Sequence, residues 1–417
     1  MSTQISQGKH SPNILFFNLG VGGHYPNYVQ YLIEYWSEEK LSGNFYIVVL
    51  QEFLEKHERI VTLAESYEEK NIKFVSITAE EEGQLKTKKS KLDKFLSDFQ
   101  EWKLLCKYAS ALKATKCSVA IIDRYLVPIA ISDRCPCPVS GIYYRPSLHY
   151  VKFSNYQPSW KDKLQHFREK FLLSRVMHKK NVKTLFFLDS FAVSYLNEKY
   201  QGNAKAIYLP DPVKVYDKSN FELNKIREGI GISPERKIFL LQGVLNDPRR
   251  GVKQLLEAID LLPSNLCQKL CLLLIGEATT LKRSEYNYKI QEICHSKPVE
   301  IIARYEFIKE RELHQYFNLA DAILAPHQRH VGMSGTLILA AAAGKPILSS
   351  NYGLIGEVVK QHGLGLTVDA TVPGEIAKGL TLLLSKPEKD LCDRVKMEKF
   401  ARANSTKQFA KVIFENI

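Results

Sequence analysis

The sequence predicts an α/β protein built from two parallel-sheet domains, and three observations carry that reading. Apolar runs of roughly four to eight residues recur along the whole chain without the alternation of a half-exposed sheet, as strands buried on both faces do. Segments of helical periodicity separate them, so consecutive strands are joined by crossovers and run parallel. The pattern lapses in a polar stretch from Lys214 to Lys237 and then restarts. With 417 residues, the chain has room for two domains of roughly 150–200 residues each. Residues 1–213 read as the first domain, 214–386 as the second, and 387–417 as a helical segment packing back on the first.

In chain order, the first ten residues, MSTQISQGKH, lack the apolar core of a secretory signal and read as a frayed tail. NILFFNLG (13–20) is a strand ending at glycine, and GGHYPNYVQYLIEYW (22–36) continues as a helix beginning near Tyr25. FYIVVL (45–50), IKFVSI (72–77), VAIID (119–123), SGIYY (140–144) and TLFFLD (184–189) supply further strands, with a long helix over 90–113, and AIYLPDPV (206–213) precedes the connector. After the connector come KIFLLQGV (237–244), KLCLLLIG (269–276), EIIARY (300–305), AILAP (322–326) and PILSS (346–350), with helices at 251–262, 309–319 and 335–343. Two such units leave a cleft at the carboxyl ends of their strands, where open α/β sheets take ligands.

Composition narrows the function classes. A 45% hydrophobic, 25% charged chain is ordinary for a globular protein, and no apolar run approaches the roughly 20 residues that span a bilayer. Eight cysteines are scattered without zinc-like spacing; the closest pair, Cys135 and Cys137, flanks a single proline. Reduced core thiols in a cytoplasmic protein are the expectation, with no metal site. The net charge of +13 is uneven: from Arg145 to Lys183 ten Lys/Arg face two acids, Asp162 and Glu169. Trp160, Leu164, Phe167, Phe171 and Leu172 follow helical spacing there, so residues 160–180 form a basic amphipathic helix. It fits a surface helix docked by its apolar stripe; it also fits peripheral contact with an anionic membrane, or an anionic or lipid-linked acceptor. No nucleic-acid motif accompanies the charge.

Three turns carry candidate chemistry. Gly22-Gly23, between strand and helix, lets backbone approach a ligand as a phosphate-cradling turn does; His24 beside it either binds substrate or caps the helix. The spacing is not G-x-G-x-x-G, which disfavours a nicotinamide dehydrogenase. Arg249 and Arg250 precede Gly251 and a helix, and paired guanidiniums suit a diphosphate. In HVGMSGTLILAAAAGKPILSS (330–350), a permissive turn opens an alanine-rich helix, where either close packing or free N–H groups for an anion explain the residues.

Taken as a set, these motifs resemble the glycosyltransferases of GT-B fold, in the large, mostly retaining, sugar-nucleotide-dependent family (group 1, family 4 type). The resemblance covers about residues 237–386: the Arg250-Gly251 turn, LLLIG ending at Gly276, YEFIKERELHQYFNLADAILAP, and AAAAGKPILSSNYGLIGEVV. It implies two Rossmann-like domains facing each other across a cleft, and a nucleotide-diphosphate sugar as donor. Gly22, Gly23, Arg249 and Arg250 would contact the donor diphosphate, with Ser334, Gly335 and Thr336 offering N–H groups and Met333 beside them. Gly276 would close its strand there, and Phe307 and Ile308 would lie near the base.

The sequence departs from the family where two glutamates eight positions apart are usual: those positions hold Val331 and Leu339. An arginine often found near the first turn is replaced by Val244. His330 and Glu357 are the candidate substitutes near the donor sugar. His24, Asp123 and Arg124 are the candidates for catalytic contacts to sugar or acceptor, Asp123 also fitting a strand-end cap. The expectation is a cytoplasmic hexosyltransferase without cofactor, needing no metal because fixed cations and dipoles stabilise the leaving diphosphate and no Asp-x-Asp clamp occurs. A nucleotide-sugar epimerase of the same fold and a degenerate binding or scaffold protein are the alternatives.

Overall fold

The computed structural model describes residues 11–67, 71–85, 90–132, 135–153, 155–214, 216 and 221–417; the N-terminal tail lies outside these. The chain divides into two compact units. The first holds the residues up to His149, Pro158–Pro210 and Thr406–Ile417, and the second holds Tyr150–Gln157 and Asp211–Ser405.

The first unit is built on seven strands, β1 (Asn13–Phe17), β2 (Asn44–Val49), β3 (Ile72–Ser76), β4 (Lys116–Val119), β5 (Val139–Tyr143), β6 (Val182–Phe187) and β7 (Lys205–Tyr208), in the order β3-β2-β1-β4-β5-β6-β7. The second has six: β8 (Lys237–Gln242), β9 (Leu270–Ile275), β10 (Glu300–Arg304), β11 (Ala322–Ala325), β12 (Ile347–Ser350) and β13 (Gly365–Val368), ordered β10-β9-β8-β11-β12-β13. Every pairing between named strands is parallel. Both orders reverse direction beside the first strand of their unit, the doubly wound arrangement that exposes a switch point at the carboxyl ends. The apolar runs explain the sheets: all six residues of β9 are buried, as sheets covered on both faces require.

Several elements differ from the sequence expectation. VAIID is not a strand to its end: β4 stops at Val119 and Asp123–Tyr125 forms a 3-10 turn. The edge strands β7 and β13 were not read from sequence. Within 387–417, helix Arg394–Ala403 stays with the second unit, packing on Gly335–Ala343, whose alanines permit the close approach. Only Thr406–Asn416 joins the first unit, where Phe409 meets Tyr28 at 4.5 Å between ring centroids and Thr184 Oγ1 donates to the Asn416 carbonyl at 2.5 Å.

The basic helix forms at Trp160–Met177 with a Ser159/Asp162 capping box, but its apolar stripe does not dock. Trp160 is 70% exposed and Phe167 71%, with Leu164 and Phe171 also exposed. The face turned inward carries Glu169, Leu173, Val176 and Met177. Glu169 is accommodated there because Ser147 Oγ and Tyr143 Oη donate to it at 2.8 and 3.0 Å.

Candidate functional site

In the second unit a recess of about 320 Å³ opens at the carboxyl ends of β8 and β11. Chain reversal at β8 creates one wall. Gln242 ends the strand, Gly243 takes φ +138°, and Asp247–Arg250 form a tight turn closed by Gly251 at φ +71°. No side chain fits at Gly251, where a Cβ would stand 2.2 Å from the Pro326 carbonyl oxygen.

The two arginines of this turn have different surroundings. Arg249 is held by Asp247, with Nε 3.0 Å from both carboxylate oxygens and Nη2 at 2.6 Å. That contact lowers the Asp247 carboxyl to about 2. Arg250 makes no ion pair among the described residues; burial pulls its guanidinium below its ordinary value, since a cation is costly out of water. An unneutralised, partly desolvated arginine facing a recess is arranged to meet an anion.

The opposite wall is the start of helix Gly335–Ala343. Ser334 is its N-cap residue but makes no side-chain cap; its Oγ lies 3.2 Å from His327 Nε2 instead. The first-turn N–H groups, including those of Gly335 and Thr336, therefore lack a capping oxygen from Ser334 and carry the positive end of the helix dipole. The His327 and His330 rings meet at 5.4 Å between centroids with their planes tilted by 60°, and His330 Nε2 lies 3.3 Å from the Met333 carbonyl. Burial, assisted by the Arg250 charge, lowers His327 to about 3, so its imidazole is neutral near pH 7. Tyr150 steadies this loop from below, its hydroxyl accepting from Gly332 N at 2.8 Å.

The recess thus gathers Arg249, Arg250, His330, Met333, Ser334, Gly335 and Thr336, all singled out in the sequence. Gly276, Phe307 and Ile308 do not line it. Gly276 serves packing, a Cβ there falling 1.8 Å from the Gly243 oxygen, while Phe307 is 75% exposed on the segment after β10. His327, Gln242, Asp247 and Leu313 line the recess without having been anticipated, although His327 follows the strand AILAP at the edge where ligands bind. Leu339, at one missing-glutamate position, presents an apolar wall. Glu357 pairs with Lys360 at 3.3 Å on helix Gly353–Gln361 and is not among the lining residues.

In the first unit, Gly22-Gly23 leads into helix Tyr25–Glu38, Gly23 at φ +65°, and a Cβ on either glycine would meet nothing within 4 Å. His24 is the N-cap residue yet makes no side-chain cap. Its ring packs among Tyr25, Tyr28 and Tyr144 at 4.5 to 5.0 Å, and this desolvation lowers it to about 4. Asp123 accepts from Tyr144 N at 3.0 and 3.2 Å, one from each carboxylate oxygen. Burial dominates even so and raises its carboxyl to about 7. Arg124 turns away to Asp98 at 3.1 Å and to the buried Glu101 at 2.6 Å, so its charge is already matched. A second recess, of about 740 Å³, lies over Asp123 and Arg124; Arg145 and Arg168 border it together with Trp160, Leu164 and Phe95.

Comparison with known proteins bears on both units. Residues 223–403 match the family described as glycosyl transferases group 1. No curated protein matches the sequence significantly. Among solved structures the chain is similar over its whole length to several sugar-nucleotide enzymes. HepE of Anabaena, in complex with UDP and glucose, is 13% identical over 97% of this chain and 98% of that one, with a TM-score of 0.63. Sucrose-phosphate synthase from Thermosynechococcus elongatus is 15% identical over 97% and 98%, at 0.67. The α,α-trehalose 6-phosphate synthase from Burkholderia multivorans is 12% identical over 97% and 98%, at 0.65. At such identities the likeness establishes the fold, with two Rossmann-like domains, and the family match covers the second of them. Residues 223–403 are thus similar to the group 1 glycosyl transferases, and the chain as a whole has the GT-B fold.

Proposed function

We propose that the protein transfers a sugar, with retention of configuration, from a nucleotide-diphosphate sugar to an acceptor hydroxyl, without a metal ion in the transfer step. One observation carries this reading: the free Arg250 guanidinium and the uncapped start of helix Gly335–Ala343 border the same recess. Departure of a nucleoside diphosphate concentrates about two negative charges on phosphate oxygens. A fixed guanidinium and N–H dipoles stabilise that charge in the transition state more than in the bound donor, as catalysis requires. The absence of an Asp-x-Asp motif and the cationic character of the recess support metal-free transfer. Solved structures of HepE hold UDP, UDP with glucose, and UDP-glucose, which supports a donor of that type here. His327 and His330 take the place of the missing glutamates as polar contacts to the sugar. Retention rests on the resemblance in motif order to a mostly retaining family.

The acceptor, on this reading, occupies the recess over Asp123, with His24 presenting a neutral imidazole nearby. Arg145 and Arg168 suit an anionic group, and Trp160, Leu164 and Phe95 suit an apolar body, so the acceptor is an anionic amphiphile. The exposed basic, aromatic face of helix Trp160–Met177 rests on the anionic membrane that holds it. The test is calorimetric titration of the full chain with nucleoside diphosphates and the matching nucleosides. Diphosphate binding that is lost in Arg250→Ala supports the donor site; a chain that binds none of them overturns it.

A further inference from the structure

Four of the protein's eight cysteines gather in the core of the first unit. Cys106 comes from helix Lys91–Ala111, Cys117 from β4, and Cys135 and Cys137 from the segment entering β5. The sulfurs of Cys117, Cys135 and Cys137 all lie within 4.8 Å of one another, and all three residues are buried. The Cys117 and Cys137 sulfurs are 3.1 Å apart, and the Cys106 thiol neighbours that of Cys135, outside this close group of three. The Cys137 N–H is directed at Cys135.

We propose that Cys117, Cys135 and Cys137 hold one zinc ion, with the Cys106 thiol, which neighbours Cys135, turning in as the fourth ligand of a tetrahedral, all-thiolate structural site. Thiols are weak hydrogen-bond partners, so four of them gain little by turning toward each other in an apolar interior that leucine or valine would fill as well. A shared cation gives the convergence a reason. Zinc–sulfur bonds of about 2.3 Å place the corners of a tetrahedron about 3.8 Å apart, a spacing that three sulfurs within 4.8 Å of one another can adopt by small side-chain adjustments. The spacing suits one ion rather than a cluster of several, and four soft donors with no open position select zinc in a closed site. Binding balances as one Zn²⁺ taken up and four thiol protons released, leaving a site of charge −2 that a backbone N–H at a sulfur helps to stabilise.

The position explains the purpose. The segment 135–138 leads into β5 and is joined to β4 by the Cys117 N–H donating to the Pro138 carbonyl at 2.9 Å. The ion would tie that segment to both β4 and the long helix. Cys117 lies six residues before Asp123, but none of the four cysteines lines the recess over Asp123, so the ion would serve the fold rather than sugar transfer. Cys-Pro-Cys alone supplies two ligands, and the other two come from elements remote in sequence, which is why ligand spacing gave no sign of it.

The test uses the full chain, expressed with zinc and purified without chelator. Elemental analysis is expected to give about one zinc per chain, released by a thiol-reactive mercurial. Replacement by Co²⁺ is expected to give the intense visible bands of tetrahedral cobalt together with thiolate-to-cobalt charge transfer in the near ultraviolet. Cys135→Ser with Cys137→Ser loses the zinc and lowers the thermal midpoint, while Cys267→Ser with Cys271→Ser, in the other unit, retains it. The wild-type cobalt spectrum decides the question even if the first double variant fails to fold. Substoichiometric zinc with no cobalt spectrum, or a Cys117–Cys137 disulfide mapped in the native protein, overturns the proposal.

Discussion

The guanidinium of Arg250 lies against the bare α-carbon of Gly243: a Cβ built there would stand 2.5 Å from Arg250 Cζ and 2.6 Å from Nε. The end of β8 thus shapes the arginine's orientation by leaving out a side chain. Gly243→Ala would push the guanidinium off the wall and also strain a backbone at φ +138°. We expect a roughly tenfold or greater loss of nucleoside diphosphate affinity in calorimetric titration, with the fold retained by circular dichroism. Unchanged affinity would mean that Arg250 does not reach the phosphates.

The two neighbouring arginines should respond differently to removal. A hydrogen bond to a charged group is worth roughly 1.5–3 kcal/mol, so Arg250→Ala should weaken diphosphate binding by about 10- to 150-fold and leave the nucleoside nearly unaffected. Arg249 already spends its donors on Asp247 and is exposed, so Arg249→Ala should change affinity by less than about threefold, within the range of surface charge pairs. Because burial keeps His327 neutral, no histidine charge there substitutes for the lost cation. Similar losses in both variants would refute this division of roles.

Asp123 gives a pH-dependent prediction. Its carboxyl sits at about 7 in the folded protein against an ordinary 3.8, chiefly through burial. Between those values the folded state binds a proton that the unfolded chain has released, so stability falls as pH rises through this window and levels off above about 7. Asp123→Asn keeps an oxygen for the Tyr144 N–H and carries no charge. Its thermal midpoint should match wild type near pH 4 and exceed it at pH 8, by a free energy on the order of 1–3 kcal/mol. A variant less stable than wild type at pH 8 would show that the ionised carboxylate is needed.

Much of this was legible in the sequence because burial and periodicity act locally. Eleven of the thirteen strands announce themselves as apolar runs; β7 and β13, four-residue edge strands, are the exceptions, β13 opening on Gly365, where a Cβ would strike the Ile347 oxygen at 2.1 Å. Turn chemistry placed the Arg250 and Ser334 loops. What remained hidden depends on contacts between distant positions: His327 acquires its role from Ser334 and Arg250, and Arg124 is taken up by Glu101 from the preceding helix. The basic helix reversed the expectation because Glu169 finds Ser147 and Tyr143 inside. Periodicity identifies an apolar stripe but not the direction in which it faces.

That outward stripe leads to the membrane prediction. Trp160, Leu164, Phe167 and Phe171 stand exposed on one helix, Leu92, Phe95 and Leu96 on another, and Lys161, Lys163, Arg168 and Lys170 are interleaved with the first group. Exposed apolar groups of this extent are unusual on a soluble surface. Burying one large side chain yields roughly 1.5–3 kcal/mol, and each basic residue near an anionic surface adds about 1 kcal/mol. The full chain should therefore co-sediment with phosphatidylglycerol-containing vesicles more strongly than with phosphatidylcholine vesicles, and the difference should shrink as salt is raised, since screening acts on the charges alone. Trp160→Ser with Phe167→Ser should reduce binding by about 10-fold or more without altering the thermal midpoint, because neither ring is packed in the folded protein. Equal partition into neutral and anionic vesicles, or a double variant that binds as wild type does, would mean that this face meets something other than a lipid surface.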